Sequence, residues 1–130
     1  MRELWQRMIF SILITNTDDH LKNHGFVYAR NNLWRLSPLF DVNPQPRRHP
    51  QMETGISPIH GYNPTIEAAI DAATFFDVKE DDAKILASNM AISLKQNWKN
   101  ALRNQGLSGA ALKACAPAFE NDRMDAALLL

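Results

Sequence analysis

The sequence predicts a mainly α-helical single domain, residues 1–130, with one small β-hairpin near its N-terminal end. Apolar residues recur at three- and four-residue spacing over much of the chain, which is the period of helices with one buried face. Two short runs of β-forming residues flank an Asn-Asn pair, which is typical of a hairpin turn. At 130 residues and 45% hydrophobic composition, the chain is long enough to bury one core.

The first predicted elements are a helix and the hairpin that follows it. The apolar face of the helix consists of Leu4, Trp5, Met8, Ile9, Ile12 and Leu13. Residues 26–29 and 33–36 are the two predicted strands, because Asn31 and Asn32 between them tolerate a positive φ. Such a hairpin brings its two ends to one place, so we expect the loops on either side of it to lie together.

Residues 42–63 are predicted to form an ordered loop instead of a long helix. Prolines and glycines interrupt helices. Those of this segment, with one asparagine, are Asn43, Pro44, Pro46, Pro50, Gly55, Pro58 and Gly61. A short strand is expected within the loop, around residues 52–56.

Two helices are predicted after this loop. Asn63 is the expected N-cap of a short helix, with Pro64 at its first position. The apolar face of that helix is formed by Ile66, Ala69, Ile70 and Ala73. Asp77 and Glu80 resemble a capping box that opens a longer helix through about Leu102. Core candidates on the longer helix are Ile85, Met90, Ile92, Leu94 and Trp98.

The C-terminal part of the chain is predicted to hold two more short helices. Gly106 is expected to stop the long helix, since glycine is common just past a helix end. Ser108 begins the next helix and Pro117 ends it, while residues 120–129 form the last one.

Two aspartates and one asparagine follow one another in the sequence at a spacing that is typical of phosphoryl-transfer sites. Asp18 is followed five residues later by Asn23, and Asp41 comes after the predicted hairpin. Protein kinases use this order of an aspartate base, an asparagine and a second aspartate. The spacing therefore predicts the helical C-terminal lobe of a protein-kinase-like fold, with the hairpin carrying the catalytic and metal-binding loops. Residues 16–20 taken alone would instead indicate a structural turn.

Each of these residue types suits one task in phosphoryl transfer, in which the protein orients a hydroxyl and neutralises charge. Asp18 would accept the proton of the substrate hydroxyl. Asn23 and Asp41 would supply hard oxygen ligands to Mg²⁺, which keeps several waters and needs few protein ligands. His20 and Lys22 are the cationic candidates near the transferred phosphate.

Two runs of the sequence resemble a known family. Residues 16–23, Asn-Thr-Asp-Asp-His-Leu-Lys-Asn, and residues 34–42, Trp-Arg-Leu-Ser-Pro-Leu-Phe-Asp-Val, are similar to the C-terminal region of HipA-type serine/threonine kinases. These kinases are the toxin components of bacterial toxin–antitoxin pairs. The resemblance implies ATP as substrate, Mg²⁺ as cofactor, and a protein as phosphate acceptor, in some members an aminoacyl-tRNA synthetase. It also implies a DNA-binding antitoxin as partner.

The same resemblance assigns the site residues. It implies Asp18 as the catalytic base and Asn23 and Asp41 as metal ligands. His20 and Lys22 would line the phosphate side of the site, with roles in catalysis and in binding ATP.

A two-lobed kinase also needs a sheet, a phosphate-covering loop and a strand lysine that hold ATP. The five glycines, at positions 25, 55, 61, 106 and 109, form no Gly-rich loop. We therefore expect the chain to be one lobe of a kinase, from which the N-terminal ATP-covering lobe is absent. A proteolytic piece, a truncated gene or a split system with a second chain would each produce it. The isolated chain is expected to show little or no kinase activity.

Composition excludes several other classes of function. Fourteen basic and fourteen acidic residues give zero formal charge, which offers no electrostatic case for direct binding of nucleic acid. A single cysteine, Cys115, forms no internal disulfide and is compatible with a reducing compartment. No run reaches the roughly 18 apolar residues of a membrane span, and no signal peptide is recognisable. A cytoplasmic protein is the expectation.

Two other classes of function stay open from the residues alone. A metal-dependent hydrolase could use Asp18, Asp19, His20 and His24 as a carboxylate–imidazole cluster. A non-catalytic interaction module is the second alternative, in which a lone lobe binds an antitoxin or the missing half without using ATP.

Overall fold

The computed structural model describes residues 1–130 and contains five helices and one two-stranded antiparallel sheet. In chain order the elements are α1 (Arg2–Leu13), β1 (Phe26–Arg30), β2 (Leu33–Leu36), α2 (Ile66–Asp71), α3 (Glu80–Asn104), α4 (Gly109–Phe119) and α5 (Asp122–Leu128). This architecture confirms the prediction of a mainly α-helical chain with one small hairpin. No helix combines the length and the apolar composition needed to cross a membrane.

Helix α1 is the central element of the core. Trp5, Ile9, Ile12 and Leu13 are fully buried, in agreement with the predicted apolar face. The indole Nε1–H of Trp5 donates a hydrogen bond to the carbonyl oxygen of Ala69 at 2.8 Å. This bond satisfies the polar atom of a buried tryptophan and joins α1 to α2, as burial of such a group requires.

The hairpin forms at the predicted place and projects from the helical body. Asn31 and Asn32 both have a positive φ, of 51° and 58°, which is what a tight two-residue turn demands. The register pairs Phe26 with Leu36 and Tyr28 with Trp34, and it shifts between Tyr28 and Arg30. The backbone N–H of Ser37 donates to the oxygen of Gly25 at 2.8 Å, so the two ends of the hairpin meet as expected.

Both faces of the hairpin are largely exposed to solvent. The exposed fractions are 66% for Phe26, 56% for Tyr28, 62% for Leu33 and 64% for Trp34. The rings of Tyr28 and Trp34 contact each other edge to face, with centroids 5.5 Å apart. A two-stranded ribbon is marginally stable by itself, and here it presents apolar side chains without a covering element.

The segment between β2 and α2 is an ordered loop, but the strand predicted around residues 52–56 is wrong. In its place the backbone N–H of Met52 donates to Tyr62 at 2.9 Å and that of Ile56 to Gly61 at 2.7 Å. One isolated bridge, between Ser57 and Gly61, closes the tip. Met52 and Ile56 are buried in the core, so their apolar character reflects packing and not membership of a sheet.

The predicted starts of α2 and α3 are also wrong. Thr65, not Asn63, is the N-cap of α2, and its hydroxyl accepts a hydrogen bond from the backbone N–H of Ala68. Asp77 does not open α3 with a capping box, because it lies in the left-handed region at the end of a 3₁₀ segment, Ala72–Phe76. Helix α3 begins at Glu80 behind Lys79, and acidic residues in its first turn complement the helix dipole.

The buried face of α3 differs in part from the one predicted, although Met90 and Leu94 pack against the core as expected. Ile85 and Ile92 are 59% and 41% exposed, so they are not core residues. Alanines spaced four residues apart form the buried stripe instead: Ala83, Ala87 and Ala91. Small side chains suit this face because α3 packs against α1, α2, α4 and α5 and leaves little room for branched residues. Trp98 is buried as predicted.

The last two helices close a second, smaller apolar cluster. Pro117 lies inside α4 and does not end it, because the helix continues to Phe119. The Phe119 ring stacks on Trp98 with centroids 4.8 Å apart. Helix α5 begins behind Asn121, whose side chain accepts a hydrogen bond from Met124, two residues later than the predicted start at residue 120.

Candidate functional site

The predicted catalytic loop leaves the C-terminal end of α1 through a sharply turned, buried segment. Thr15 has a φ of 59°, and the backbone N–H of Asn16 returns to Ser11 at 2.8 Å. The Thr17 hydroxyl donates to the side-chain oxygen of Gln45 at 2.9 Å. Residues 15–17 are all buried, so the backbone before Asp18 is held on several sides.

The side chain of Asn23 folds back onto the residue predicted to be the base. A 3₁₀ turn, Leu21–Asn23, reverses the chain, and the Asn23 amide donates to the backbone oxygen of Asp18 at 2.8 Å. Asn23 is buried, whereas the Asp18 carboxylate is exposed. This bond uses the nitrogen of the amide, so the amide oxygen is the atom that suits a cation.

The two cationic candidates lie at the same part of the surface. His20 Nε2 stands 4.0 Å from the Asp18 carboxylate, and His20 Nδ1 is buried without a hydrogen-bond partner. Lys22 is exposed. Both His20 and Lys22 line one shallow depression, which also includes Glu53 and Tyr62. The structure therefore brings His20 and Lys22 together beside the loop of Asp18.

The loop of Asp41 is bonded to the loop of Asp18. The backbone N–H of Asn43 donates to the side-chain oxygen of Asn16 at 3.3 Å, and the Asn43 amide donates to the Asp41 carboxylate at 3.1 Å. Asp41 itself is exposed and has a φ of 54°. Two hydrogen bonds of Asn43 thus connect Asp41 to the segment that precedes Asp18. The loops on either side of the hairpin therefore lie together, as expected.

The donor set of the two predicted metal ligands fits Mg²⁺ in its chemistry. Asn23 offers an amide oxygen and Asp41 a carboxylate, and both are hard oxygen ligands of the kind that Mg²⁺ takes alongside water. No group of three or more His, Cys, Asp or Glu side chains is arranged to hold a metal ion. The hydrolase alternative required such a cluster, so the geometry does not support it.

Asp19 and His24, which have no predicted role in the kinase-type site, form a pair. Nε2 of His24 lies 2.7 Å from Oδ1 of Asp19, and only 18% and 12% of the two side chains are exposed. Their spacing of five residues equals that of Asp18 and Asn23. The repeated spacing does not by itself predict a hydrogen bond, so the sequence carries no sufficient signal for this pair.

An apolar cavity lies beside this pair. Its volume is about 310 Å³, and most of its lining comes from apolar side chains of α1, the hairpin and the loop around Ile56. Asp19, His24 and Thr54 are its polar lining residues. Leu21 and Phe26, which also line it, are 76% and 66% exposed. The cavity and the hairpin therefore present apolar surface next to the loop of Asp18.

The end of α1 is supported by residues of α4 and α5. Arg123 donates through Nε to the backbone oxygen of Ile12 at 3.2 Å, and the Thr15 hydroxyl donates to Ala118 at 3.1 Å. Burial lowers the pKa of the Arg123 guanidinium, and neighbouring Asp122 opposes that shift. The C-terminal helices thus contact the segment that precedes the loop of Asp18.

Comparison with known proteins gives matches of two kinds. The family model of the HipA-like C-terminal domain matches residues 1–98, which include both runs with the resemblance described above. A protein of Haemophilus influenzae described as "Putative kinase" is 40% identical over 48 residues, which are 35% of this chain. The match spans only 14% of the length of that relative. No solved structure matches the chain.

Proposed function

The chain belongs to the family of HipA-like C-terminal domains, and from this premise we propose that it is the catalytic lobe of a serine/threonine protein kinase. In this proposal Asp18 is the base, and Asn23 and Asp41 bind Mg²⁺. The observation that supports it best is the hydrogen-bonded connection between the loops of Asp18 and Asp41 through Asn16 and Asn43.

The proposed reaction assigns a task to each residue at the site. The exposed Asp18 carboxylate accepts the proton of a serine or threonine hydroxyl while the hydroxyl oxygen forms a bond to phosphorus and ADP leaves. Mg²⁺–ATP supplies the γ-phosphoryl group and neutralises charge when it is bound. His20 and Lys22 attract the phosphate oxygens from the depression that they share.

We propose further that activity requires an ATP-covering half outside these 130 residues. A lone C-terminal lobe offers a base and metal ligands but no strand lysine or phosphate-covering loop. The exposed hairpin and the neighbouring cavity of about 310 Å³ are the apolar surfaces on which such a half would pack. The proposed substrate is a cytoplasmic protein, with an aminoacyl-tRNA synthetase as the first to test, and the proposed inhibitor is a DNA-binding antitoxin.

The test is magnesium-dependent nucleotide binding and transfer by the chain joined to its ATP-covering half. The genomic sequence upstream of Met1 is the first place to look for that half, as an open frame with a Gly-rich loop and a strand lysine. We expect labelled phosphate to reach a protein hydroxyl only with the joined halves and Mg²⁺. Robust transfer by the 130-residue chain alone would refute the requirement for a second half, and failure of the joined protein to bind ATP would refute the kinase proposal.

The exposed hairpin also favours a second candidate function, that of an interaction module. Tyr28 and Trp34 are more than half exposed and form a continuous aromatic surface, and aromatic residues are enriched at protein interfaces. In this version the lobe binds a partner without turning over ATP. Partner binding that is lost in Trp34→Ser but unchanged in Asp18→Asn, with no nucleotide binding in the joined protein, would favour the module over the kinase.

A further inference from the structure

The catalytic loop is closed by two hydrogen bonds with the same sequence spacing. The Asn23 amide reaches the backbone of Asp18 at 2.8 Å, and the His24 ring reaches the Asp19 carboxylate at 2.7 Å. Asp19 directly follows Asp18, and His24 directly follows Asn23. The second bond therefore joins the immediate neighbours of the proposed base and of a proposed metal ligand.

Asp19 is also held by the loop that follows the hairpin. The hydroxyl of Thr54 donates to the backbone oxygen of Asp19 at 2.6 Å, and the backbone N–H of Glu53 donates to Thr17 at 3.0 Å. With its side chain bonded to His24 and its carbonyl bonded to Thr54, Asp19 is fixed at two points. His24 thus bonds to a residue that the loop around Thr54 already holds in place.

Packing alone does not account for a polar pair at this position. The two side chains are 82–88% removed from solvent, as their exposures of 18% and 12% show, and they line a mainly apolar cavity. Burying such groups costs free energy, and an apolar pair of similar volume is often neutral or stabilising in comparison. A hydrogen bond, in contrast, fixes the direction and distance between two backbone segments.

We propose that the Asp19–His24 pair is a positioning clamp, which holds Asp18 and Asn23 at the separation that metal binding and proton transfer require. The inference rests on the proposed function. Neither residue contacts the substrate or the metal ion in this scheme; both act through their neighbours. Rigid placement matters because a shift of about 1 Å in a catalytic group can lower a rate about 100-fold.

The test uses the ¹⁵N-labelled 130-residue chain, with Mn²⁺ as a paramagnetic substitute for Mg²⁺. Three variants are compared with the unmodified chain: His24→Leu, His24→Gln and the double variant Asp19→Leu/His24→Leu. Line broadening at residues 23 and 41 measures Mn²⁺ affinity. Hydrogen exchange of the backbone N–H of Asn23, which donates to the backbone oxygen of His20 at 2.9 Å, measures the order of the loop without metal. Thermal unfolding reports whether each variant is folded.

We expect the double variant to stay folded, since replacing both partners by apolar groups can be nearly neutral. The backbone N–H of Asn23 should exchange faster in this variant. The affinity of the variant for Mn²⁺ should fall about tenfold, as is common when a supporting contact of a metal ligand is lost. His24→Leu should behave alike, whereas His24→Gln keeps a donor and should restore most of the affinity. If the double variant does not fold, the proposal is tested by comparing the Mn²⁺ affinity of His24→Gln with that of His24→Leu.

Two failures are distinguishable in this experiment. Unchanged exchange and unchanged Mn²⁺ affinity in the folded double variant would overturn the clamp and leave the proposed function standing. Equal losses in His24→Gln and His24→Leu would also overturn it, because the donor would then be irrelevant. Absence of broadening at residues 23 and 41 in the unmodified chain, and also in that chain joined to its ATP-covering half with ATP, would overturn the metal site, and with it the function on which the clamp rests, whatever the exchange rates show.

Discussion

The guanidinium of Arg123 donates a hydrogen bond to the hydroxyl of Thr15 at 2.8 Å, across 108 residues of sequence. Its Nε–H binds the backbone oxygen of Ile12, one of the carbonyls at the end of α1 that lack a partner within the helix. Thr15 in turn donates to Ala118. Residues of α1, α4 and α5 therefore meet at the point where the chain turns into the loop of Asp18.

Arg123→Met should destabilise the fold by about 1–3 kcal/mol, because it removes two hydrogen bonds that the charged guanidinium donates to Ile12 and Thr15. Chemical denaturation of the purified chain measures the change. Arg103→Met is the matched control, since Arg103 is exposed and bonds only to Asn100, and we expect its effect to stay within about 0.5 kcal/mol. Equal changes in the free energy of unfolding for the two substitutions would show that the hydrogen bonds of Arg123 contribute no more to stability than those of an exposed arginine.

Asp18→Asn should abolish phosphoryl transfer in the protein joined to its ATP-covering half while leaving the fold intact. The carboxylate is exposed, so stability should change by no more than about 0.5 kcal/mol. Loss of a general base typically lowers the rate about 10²- to 10⁴-fold. Transfer of labelled phosphate and a thermal melt measure the two quantities. Asp82→Asn, an exposed acid on α3, is the control; a parallel loss of activity there would contradict the assignment.

Asp41→Asn and Asp41→Ala should separate the charge of this residue from its backbone conformation. Asp41 has a φ of 54°, a region that asparagine also tolerates but alanine enters at a cost of about 1–2 kcal/mol. We expect both variants to bind Mn²⁺ more weakly, and only Asp41→Ala to unfold at clearly lower urea concentration. Full Mn²⁺ affinity in Asp41→Asn would remove Asp41 from the metal site.

The Glu80–Lys84 pair at the start of α3 predicts a small pH dependence of stability. The hydrogen bond from Lys84, at 2.5 Å, lowers the pKa of Glu80 below its ordinary value near 4.5, and the same contact raises the pKa of Lys84. The contribution of Glu80 is therefore present above the unfolded pKa and is lost as pH falls through the folded one. That of Lys84 is lost only as pH rises through its raised pKa.

Thermal midpoints of the unmodified chain and of Lys84→Met, at neutral and at strongly acidic pH, test this sign. The small advantage of the unmodified chain at neutral pH should vanish in acid. The Lys84 and Glu80 side chains are 41% and 65% exposed, so salt should reduce the advantage as well. Lys95→Met serves as the control, and its difference from the unmodified chain should not vary with pH; an advantage of Lys84 that grows in acid would contradict the pairing.

Local turn chemistry explains why the hairpin was predictable, whereas tertiary packing explains the errors in the helices. Asn31 and Asn32 specify their turn without outside help. The start of α2 was misplaced because Asn63 and Thr65 are both good N-caps, and the helix uses Thr65. Ile85 looked like a core residue, but the close approach of other helices favours the alanine stripe of α3.

In the candidate site, too, some features follow from the local sequence and others depend on the tertiary structure. The order of Asp18, Asn23 and Asp41 was readable because the chemistry fixes residue type and approximate spacing, and their roles remain predictions. The Asp19–His24 bond was not readable, because it depends on the path of the chain through the 3₁₀ turn. Asn43, which connects Asp41 to Asn16, was seen only as a loop residue, since its partner lies 27 positions away.

The isolated ribbon formed by β1 and β2 has a practical consequence for work on this protein. The strands pair only with each other, and the Asn31-Asn32 turn stands at the end remote from the Gly25–Ser37 contact. Residues added at that tip would lengthen the ribbon and leave both loops at its base undisturbed. A fluorophore attachment site or an epitope tag belongs there, where it would report on whatever approaches the ribbon while staying away from the loops of Asp18 and Asp41.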